Sequence, residues 1–268
     1  MIDLHCHILP GLDDGARDLA HAVGMARIAR DDGITHIAAT PHLFKGSFEF
    51  PDLGVFDEAR ERLVVALREE NIDVTILPGA EVHINHGLVN EVRARRKSLV
   101  LAGSAYLIVE FPHDHVFSGA KDLFFDLMSE GVVPIIAHPE RNTMFARSPK
   151  LLFELIAMGA LAQANAGSLL EAHGLEAREA ARKFLELGLV HFIASDGHNT
   201  HSKAPRVAAA AGIAAAIIGE AGASALVTDN PRAVIEDKEI PYRPDPVDPV
   251  RKDKKFKLRI PGFLRSGT

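Results

Sequence analysis

The stretch Val132-Val133-Pro134-Ile135-Ile136-Ala137-His138-Pro139-Glu140-Arg141 decides how this chain of 268 residues folds. Its first six residues are apolar throughout, as in a strand covered on both faces, and the chain then turns polar at once. Ahead of it Leu123, Leu127 and Met128 repeat at helical spacing, and Gly131 stands where a helix C-cap glycine belongs. The same unit recurs along the chain. Strands are predicted over 1–5, 34–40, 74–80, 105–111, 132–137, 160–164 and 190–195. Helical periodicity precedes the second, third and sixth of these, in Leu19, Val23, Ala26 and Ala29, in Phe56, Leu63 and Leu67, and in Leu151, Leu155 and Met158. Gly33, Gly159 and Gly188 close further helical runs. Strand and helix alternating in this way predict parallel strands joined by crossover helices. An open doubly wound sheet fits the alternation too, but no Gly-x-Gly-x-x-Gly turn follows the first strand, which favours an α/β barrel.

Composition sets the outer bounds. With 47% hydrophobic and 25% charged residues, the chain can bury one large core. A formal charge of −6 argues against a surface that coats nucleic acid. Met1-Ile2-Asp3-Leu4-His5 has no basic segment followed by an apolar core, so no secretory signal is expected. The longest apolar run, 208–219, is too short and too rich in Ala and Gly to span a bilayer, so a soluble chain with no transmembrane segment is expected. The single cysteine, Cys6, excludes an internal disulfide and fits a reducing compartment, which makes the cytoplasm the expected location. It is not the nucleophile of a Cys-x5-Arg loop, because Leu12 stands where the arginine would be.

One domain is expected over 1–240. Beyond it Pro241, Pro244, Pro246 and Pro249 forbid a continuous helix, and Arg251-Lys252-Asp253-Lys254-Lys255 follows. The segment 241–268 reads as a Pro-rich basic tail, extended and packing Phe256, Leu258 and Phe263 on the barrel; a docking strip for an acidic partner or membrane surface is the alternative.

Polar residues fall where the strands end. His5 and His7 end the first, His42 the second, Glu81 the third, Glu110 the fourth, His138 the fifth, and Asp196 and His198 the seventh. In a barrel those ends meet on one face. Side chains alternate along an extended segment, so His5 and His7 point to one side and can chelate one ion, as can Asp196 and His198. The loop Leu9-Pro10-Gly11-Leu12-Asp13-Asp14-Gly15 can fold Asp14 back over the mouth, with Asp13 the poorer ligand. Nine such groups are too many for one ion, and their chemistry suits Zn, Mn or Fe, so two or three ions are expected, with Glu81 as a bridge. Gln163 and Asn165 end the sixth strand but are weak ligands. Of the remaining histidines, His36 and His191 are expected in the core and His21, His173 and His201 on the surface. His83, His86, His113 and His115 lie in loops at the mouth, where substrate could reach them. Arg141 and Arg206 can serve as bidentate phosphate ligands.

His5-Cys6-His7, Asp13-Asp14-Gly15, Thr40-Pro41-His42, Gly79-Ala80-Glu81, Glu110, Ala137-His138-Pro139-Glu140-Arg141 and Ser195-Asp196-Gly197-His198-Asn199 together resemble the polymerase-and-histidinol-phosphatase superfamily. The likeness is greatest to its bacterial manganese-dependent protein-tyrosine phosphatases, which act on autophosphorylated kinases of capsule and exopolysaccharide export. It covers 1–240. The resemblance implies a distorted (β/α)7 TIM-like barrel holding three divalent ions, Mn first, with Fe or Zn as alternatives. It assigns His5, His7, Glu81 and Asp196 to one ion, Glu81, Glu110 and His138 to a second, and Asp14, His42 and His198 to a third. Expected activity is hydrolysis of a phosphomonoester by a metal-bound hydroxide, with Arg141, Arg206, Asp196 and His198 at the reacting centre. The expected substrate is a phosphorylated protein, a bacterial tyrosine kinase, or a small phosphoester. Histidinol-phosphate or nucleotide hydrolysis is the rival enzyme reading, and a barrel kept only to bind a partner is the rival outside enzymology.

Overall fold

A computed structural model describes residues 1–250. Nine strands form there: β1 Ile2–Cys6, β2 His36–Ala39, β3 His42–Leu43, β4 Thr75–Leu77, β5 Glu81–His83, β6 Tyr106–Glu110, β7 Val133–Ala137, β8 Leu161–Asn165 and β9 Phe192–Ala194. All pairings between them are parallel. The expected single barrel sheet is divided into two, ordered β1-β2-β4 and β3-β5-β6-β7-β8-β9.

The division has a local cause. The strand predicted over 34–40 breaks at Thr40-Pro41, and the one over 74–80 breaks at Pro78-Gly79-Ala80. Proline has no N–H to give a ladder, so each break ends pairing in one sheet and lets the chain resume in the other. At Gly79 a side chain would meet Leu101 Cδ2 at 2.8 Å, so glycine lets Leu101 pack close against the break. His42 and Glu81 therefore do not end strands, as the sequence leads one to expect; they open β3 and β5, where they stand opposite each other in register. The two outer strands also meet. Asp196 N–H donates to the His5 carbonyl at 2.9 Å and His7 N–H to the Gly197 carbonyl at 2.8 Å.

Both faces of the strands are covered, as the unbroken apolar runs require. Ile2, Leu4, Ala38, Ile108, Ile135, Leu161 and Phe192 pack against one another as one core, drawn from both sheets. A larger core lies between strands and helices, where Phe124, Phe145 and Phe184 are wholly buried. The helix Leu19–Asp31 shows how the shell is built: Asp18 caps it by accepting from His21 N–H, and Ala22, Met25, Ala26 and Ala29 face inward. Gly33, Gly131, Gly159 and Gly188 all take positive φ after their helices, as the C-cap reading requires. Two expected core residues turn outward instead. Leu19 and Met158 are each 38% exposed, because they occupy the first and last positions of their helices, where the buried stripe runs out.

Among the described residues no helix is long and apolar enough to cross a membrane. The start of the proline-rich segment lies on the domain: Tyr242 N–H donates to Asn230 Oδ1 at 2.9 Å and Val247 N–H to the Leu187 carbonyl at 2.9 Å. Arg251 to Lys255, with Phe256, Leu258 and Phe263, lie outside the described residues.

Candidate metal centre

The polar residues after the apolar runs converge. His5 and His7 do point to one side, their Nε2 atoms 3.2 Å apart. Glu81 lies at the middle: His42 Nδ1 is 2.7 Å from Oε2, His138 Nε2 3.0 Å from Oε1, His5 Nε2 3.3 Å from Oε1 and His7 Nε2 3.4 Å from Oε2. Asp196 Oδ1 approaches His7 at 3.4 Å and His5 at 3.6 Å. Asp14, half-exposed on its loop, reaches His198 Nε2 at 3.4 Å and His42 Nε2 at 3.5 Å. Glu110 lies 3.8 Å from His42 and 3.9 Å from His138. All nine expected donors are thus brought together. They overlap more than the expected partition into three ligand sets: one group joins His7, Asp14, His42 and His198, a second His5, His7 and Glu81, a third His42, Glu81 and Glu110.

The local backbone is bent to achieve this. His138 and Asp196 both adopt left-handed φ, +30° and +51°, immediately after β7 and within two residues of β9. Each such conformation costs about 1–3 kcal/mol for a residue with a side chain, and clustering at functional sites is where it is usually retained. Gly15 is equally constrained, since a Cβ there would lie 2.0 Å from the His7 carbonyl oxygen. Ala16 N–H donates to the same carbonyl at 2.9 Å and ties the Asp14 loop to the end of β1.

Outer partners fix the ligands. Asp13 accepts from His7 Nδ1 at 2.7 Å, from His42 N–H at 3.0 Å and from Gly15 N–H at 3.0 Å, so it leaves His7 Nε2 to face the cluster. Gln163 Oε1 lies 2.9 Å from His5 Nδ1 and does the same there. Asn165 Nδ2 and Arg141 each donate to Asp196 Oδ2 at 2.7 Å.

The electrostatics follow from burial against pairing. Burial opposes the charged form of Glu81, yet His5, His138 and His42 hold its carboxyl well below the usual range. Burial likewise opposes Asp196, which His7, His5, His138 and His198 hold well below its usual value. For His7 burial favours the neutral ring, but Asp13, then Asp196 and Glu81, push it well above the usual imidazole value. His198, followed by His42 and His7, holds the Asp14 carboxyl well below its usual value. Buried Cys6 is pushed well up by loss of solvent, in keeping with an inert thiol.

Does the donor set fit a metal? His42 Nδ1 and Glu81 Oε2 are buried and 2.7 Å apart, yet neither makes an aligned hydrogen bond. Buried nitrogen and oxygen donors this close and without a hydrogen bond are what a divalent cation satisfies. The residues fit.

Several assignments change. His83 belongs to β5, not a loop, and its Nδ1 is 3.3 Å from Glu110 Oε2. His86 instead packs edge-on against Phe117, and exposed His115 pairs with Asp114. His191 is fully buried as expected; His36 is half-buried at the open start of β2. His173, expected on the surface, lines a pocket of about 200 Å³ with Asn165, Asp196, Lys203 and Arg206, and burial followed by Arg141 brings its pKa down to about 4. Arg206 thus borders Asp196, while Arg141 touches it. Sequence reasoning missed Lys45, whose ammonium lies 2.7 Å from Glu110 Oε1 and 3.2 Å from His42 Nε2. Its only signal was a cation three residues beyond a candidate ligand, next to a glycine.

Imidazole and carboxylate donors gathered at the termini of parallel strands, with an arginine on one of the carboxylates, define a class: α/β proteins with a cluster of metal-type donors at the strand termini. Within that class the chain belongs to the family described as Capsular polysaccharide synthesis, CpsB/CapC, whose model matches residues 1–236. It is similar to the tyrosine-protein phosphatase YwqE of Bacillus subtilis (strain 168), with 42% identity over 203 residues, 76% of this chain and 79% of YwqE. It is also similar to a solved structure described as YwqE from Bacillus subtilis and CpsB from Streptococcus pneumoniae, unique metal-dependent tyrosine phosphatases. That likeness has a TM-score of 0.88 at 37% identity, over 94% of this chain and 100% of the other. A histidinol phosphate phosphatase from Lactococcus lactis shares the fold, with a TM-score of 0.54 at 15% identity over 82% of this chain and 94% of its own.

Proposed function

We propose that this chain is a metal-dependent phosphatase acting on protein phosphotyrosine, with the autophosphorylated tyrosine kinase of a capsule or exopolysaccharide system as its substrate. The observation that carries the reading is Glu81, buried among four imidazoles of strand-end and loop residues, with Arg141 on the neighbouring Asp196. The activities named for the similar proteins support it.

Three divalent ions, Mn first and Fe or Zn as alternatives, would be held by His5, His7, Glu81 and Asp196, by Glu81, Glu110 and His138, and by Asp14, His42 and His198. When bound, such ions polarise phosphoryl oxygens and lower the pKa of water. The chain supplies the rest. Arg141 and Arg206 bind the phosphoryl oxygens, Arg141 as a donor already oriented by Asp196. Asp196 and His198 border the reacting centre, and Asp13 and Gln163 keep His7 and His5 turned toward it.

The scaffold reads as a distorted (β/α)7 barrel over 1–240, supported by the hydrogen bonds between the His5–His7 and Asp196–Gly197 backbones. The cytoplasm is the compartment of this reading, in keeping with a lone buried thiol. The test is metal analysis of protein purified without chelator, then turnover of a phosphotyrosine peptide, histidinol phosphate and short oligonucleotides. Preference for the phosphotyrosine peptide, lost on metal removal, is expected. Activity that survives complete metal removal sinks the reading, and preference for histidinol phosphate replaces its substrate.

A further inference from the structure

Just past His42 the chain turns back on itself. Phe44 N–H donates to the Phe48 carbonyl at 2.8 Å and Phe48 N–H to the Lys45 carbonyl at 2.9 Å, with Gly46 at φ +57°. The base of this turn is clamped. The Arg95 guanidinium lies 5.5 Å over the Phe44 ring and donates to the Phe50 carbonyl at 3.4 Å, while Glu91 holds it at 2.6 Å. Phe50 in turn packs edge-on against Phe56 at 5.0 Å. From the clamped turn two side chains run back to the cluster. The Phe48 ring lies over the His42 imidazole, centroids 5.7 Å apart and planes 19° from parallel. The Lys45 ammonium rests on Glu110 at 2.7 Å and near His42 Nε2 at 3.2 Å, with a third of its side chain exposed.

An aromatic face and a cation thus stand together beside the candidate ligands, on one short turn. Arg141 is held by Asp196 and Lys45 by Glu110, so different carboxylates position the two cations. We propose that the turn 44–48 reads the leaving group: Phe48 flanks the ring of an aryl phosphate, and the Lys45 ammonium faces the ester oxygen. The inference rests on the phosphotyrosine reading and deepens it, because it assigns the preference for aryl over alkyl phosphates to named residues. Water adds to phosphorus and gives up a proton to solvent as the bond from phosphorus to the phenolic oxygen breaks; the electron pair leaves on that oxygen, which takes a proton back from solvent. Charge growing on it is what the ammonium stabilises.

Phe48→Ala, Phe48→Leu, Lys45→Met and Lys45→Arg are compared with the unaltered chain on p-nitrophenyl phosphate, a phosphotyrosine peptide and a phosphoserine peptide. Metal content, and calorimetric affinities for phenylphosphonate and methylphosphonate, are measured on the same preparations. Metal-dependent turnover of p-nitrophenyl phosphate by the unaltered chain checks the phosphatase reading separately. Phe48→Ala is expected to lower the ratio of phenylphosphonate to methylphosphonate affinity about fivefold, with Phe48→Leu intermediate and metal content constant. Lys45→Met is expected to lower kcat on phosphotyrosine about tenfold more than on p-nitrophenyl phosphate, whose phenolate needs less stabilisation, and Lys45→Arg to recover part of the loss. If both ratios stay at the values of the unaltered chain, or fall together with metal content, in protein that still turns over p-nitrophenyl phosphate, the proposal is overturned and the phosphatase reading stands.

Discussion

The same strands have two ends with opposite physics. Along their length Ile2, Leu4, Ala38, Ile108, Ile135, Leu161 and Phe192 form an apolar core that is dense and uncharged. Where β1, β6, β7 and β9 run out and β5 begins, His5, His7, Glu81, Glu110, His138 and Asp196 are just as buried and carry titratable groups. The first region is stabilised by removing surface from water; the second is held in place against burial by pairing, with two residues in left-handed backbone. Stability is built in one region and used in the other. A substitution therefore has a different signature according to the end it strikes.

The largest effect is expected at the polar end. Glu81→Gln keeps the shape but weakens the group shared by four imidazoles, and should lower phosphatase kcat about a thousandfold with loss of bound metal. Steady-state kinetics with metal analysis check this, and full activity at normal metal content would break the comparison. At the apolar end Phe192→Ala should cost about 3–5 kcal/mol in denaturant unfolding, yet leave the folded fraction with its metal content. A loss of metal greater than the loss of folded protein would show that the two regions are not separable.

The smallest effect sharpens the contrast by pH, in metal-free protein. His5 and His7 have folded values raised above 6.5, so their contribution is complete below 6.5 and lost as pH rises through those higher values. Glu81 and Asp196 are depressed below 4.5 and 3.8, so theirs is complete above 4.5 and lost as pH falls through the depressed values. These four groups should together stabilise the metal-free chain most between pH 4.5 and 6.5. The cost of Phe192→Ala should be the same at about pH 5 and about pH 8, since no proton is involved there. Thermal melts across pH decide it; a metal-free chain whose Tm rises steadily past neutrality would contradict the assignment.

Much of this was readable before any coordinates, and for a physical reason. A strand buried on both faces must be apolar along its length, so a polar group at its edge stands out, as His138 does after Ile135-Ile136-Ala137. The breaks at Pro41 and Pro78 were visible as residues, but hydrophobicity continues through them, and only hydrogen-bond accounting tells that the sheet divides there. Asp13 and Asp14 are neighbours of one residue type. A loop that folds back over the site favours Asp14 as the ligand, but the turn at Gly15 decides that Asp13 faces His7 Nδ1 and Asp14 faces His198. Lys45 and His173 escaped because loops carry no periodicity, and their place depends on contacts such as Arg95 on Phe44 that are distant in sequence.

The position of Glu81 has one more consequence. A carboxylate within 3.4 Å of four imidazoles would be shared between the proposed ions, and a cation that took one of its oxygens would alter what the other can offer. Filling such a centre is a coupled process, not a set of independent equilibria. In a cell short of metal, the loading of one part of such a centre would depend on the loading of the next, so that scarcity would act on the centre as a whole.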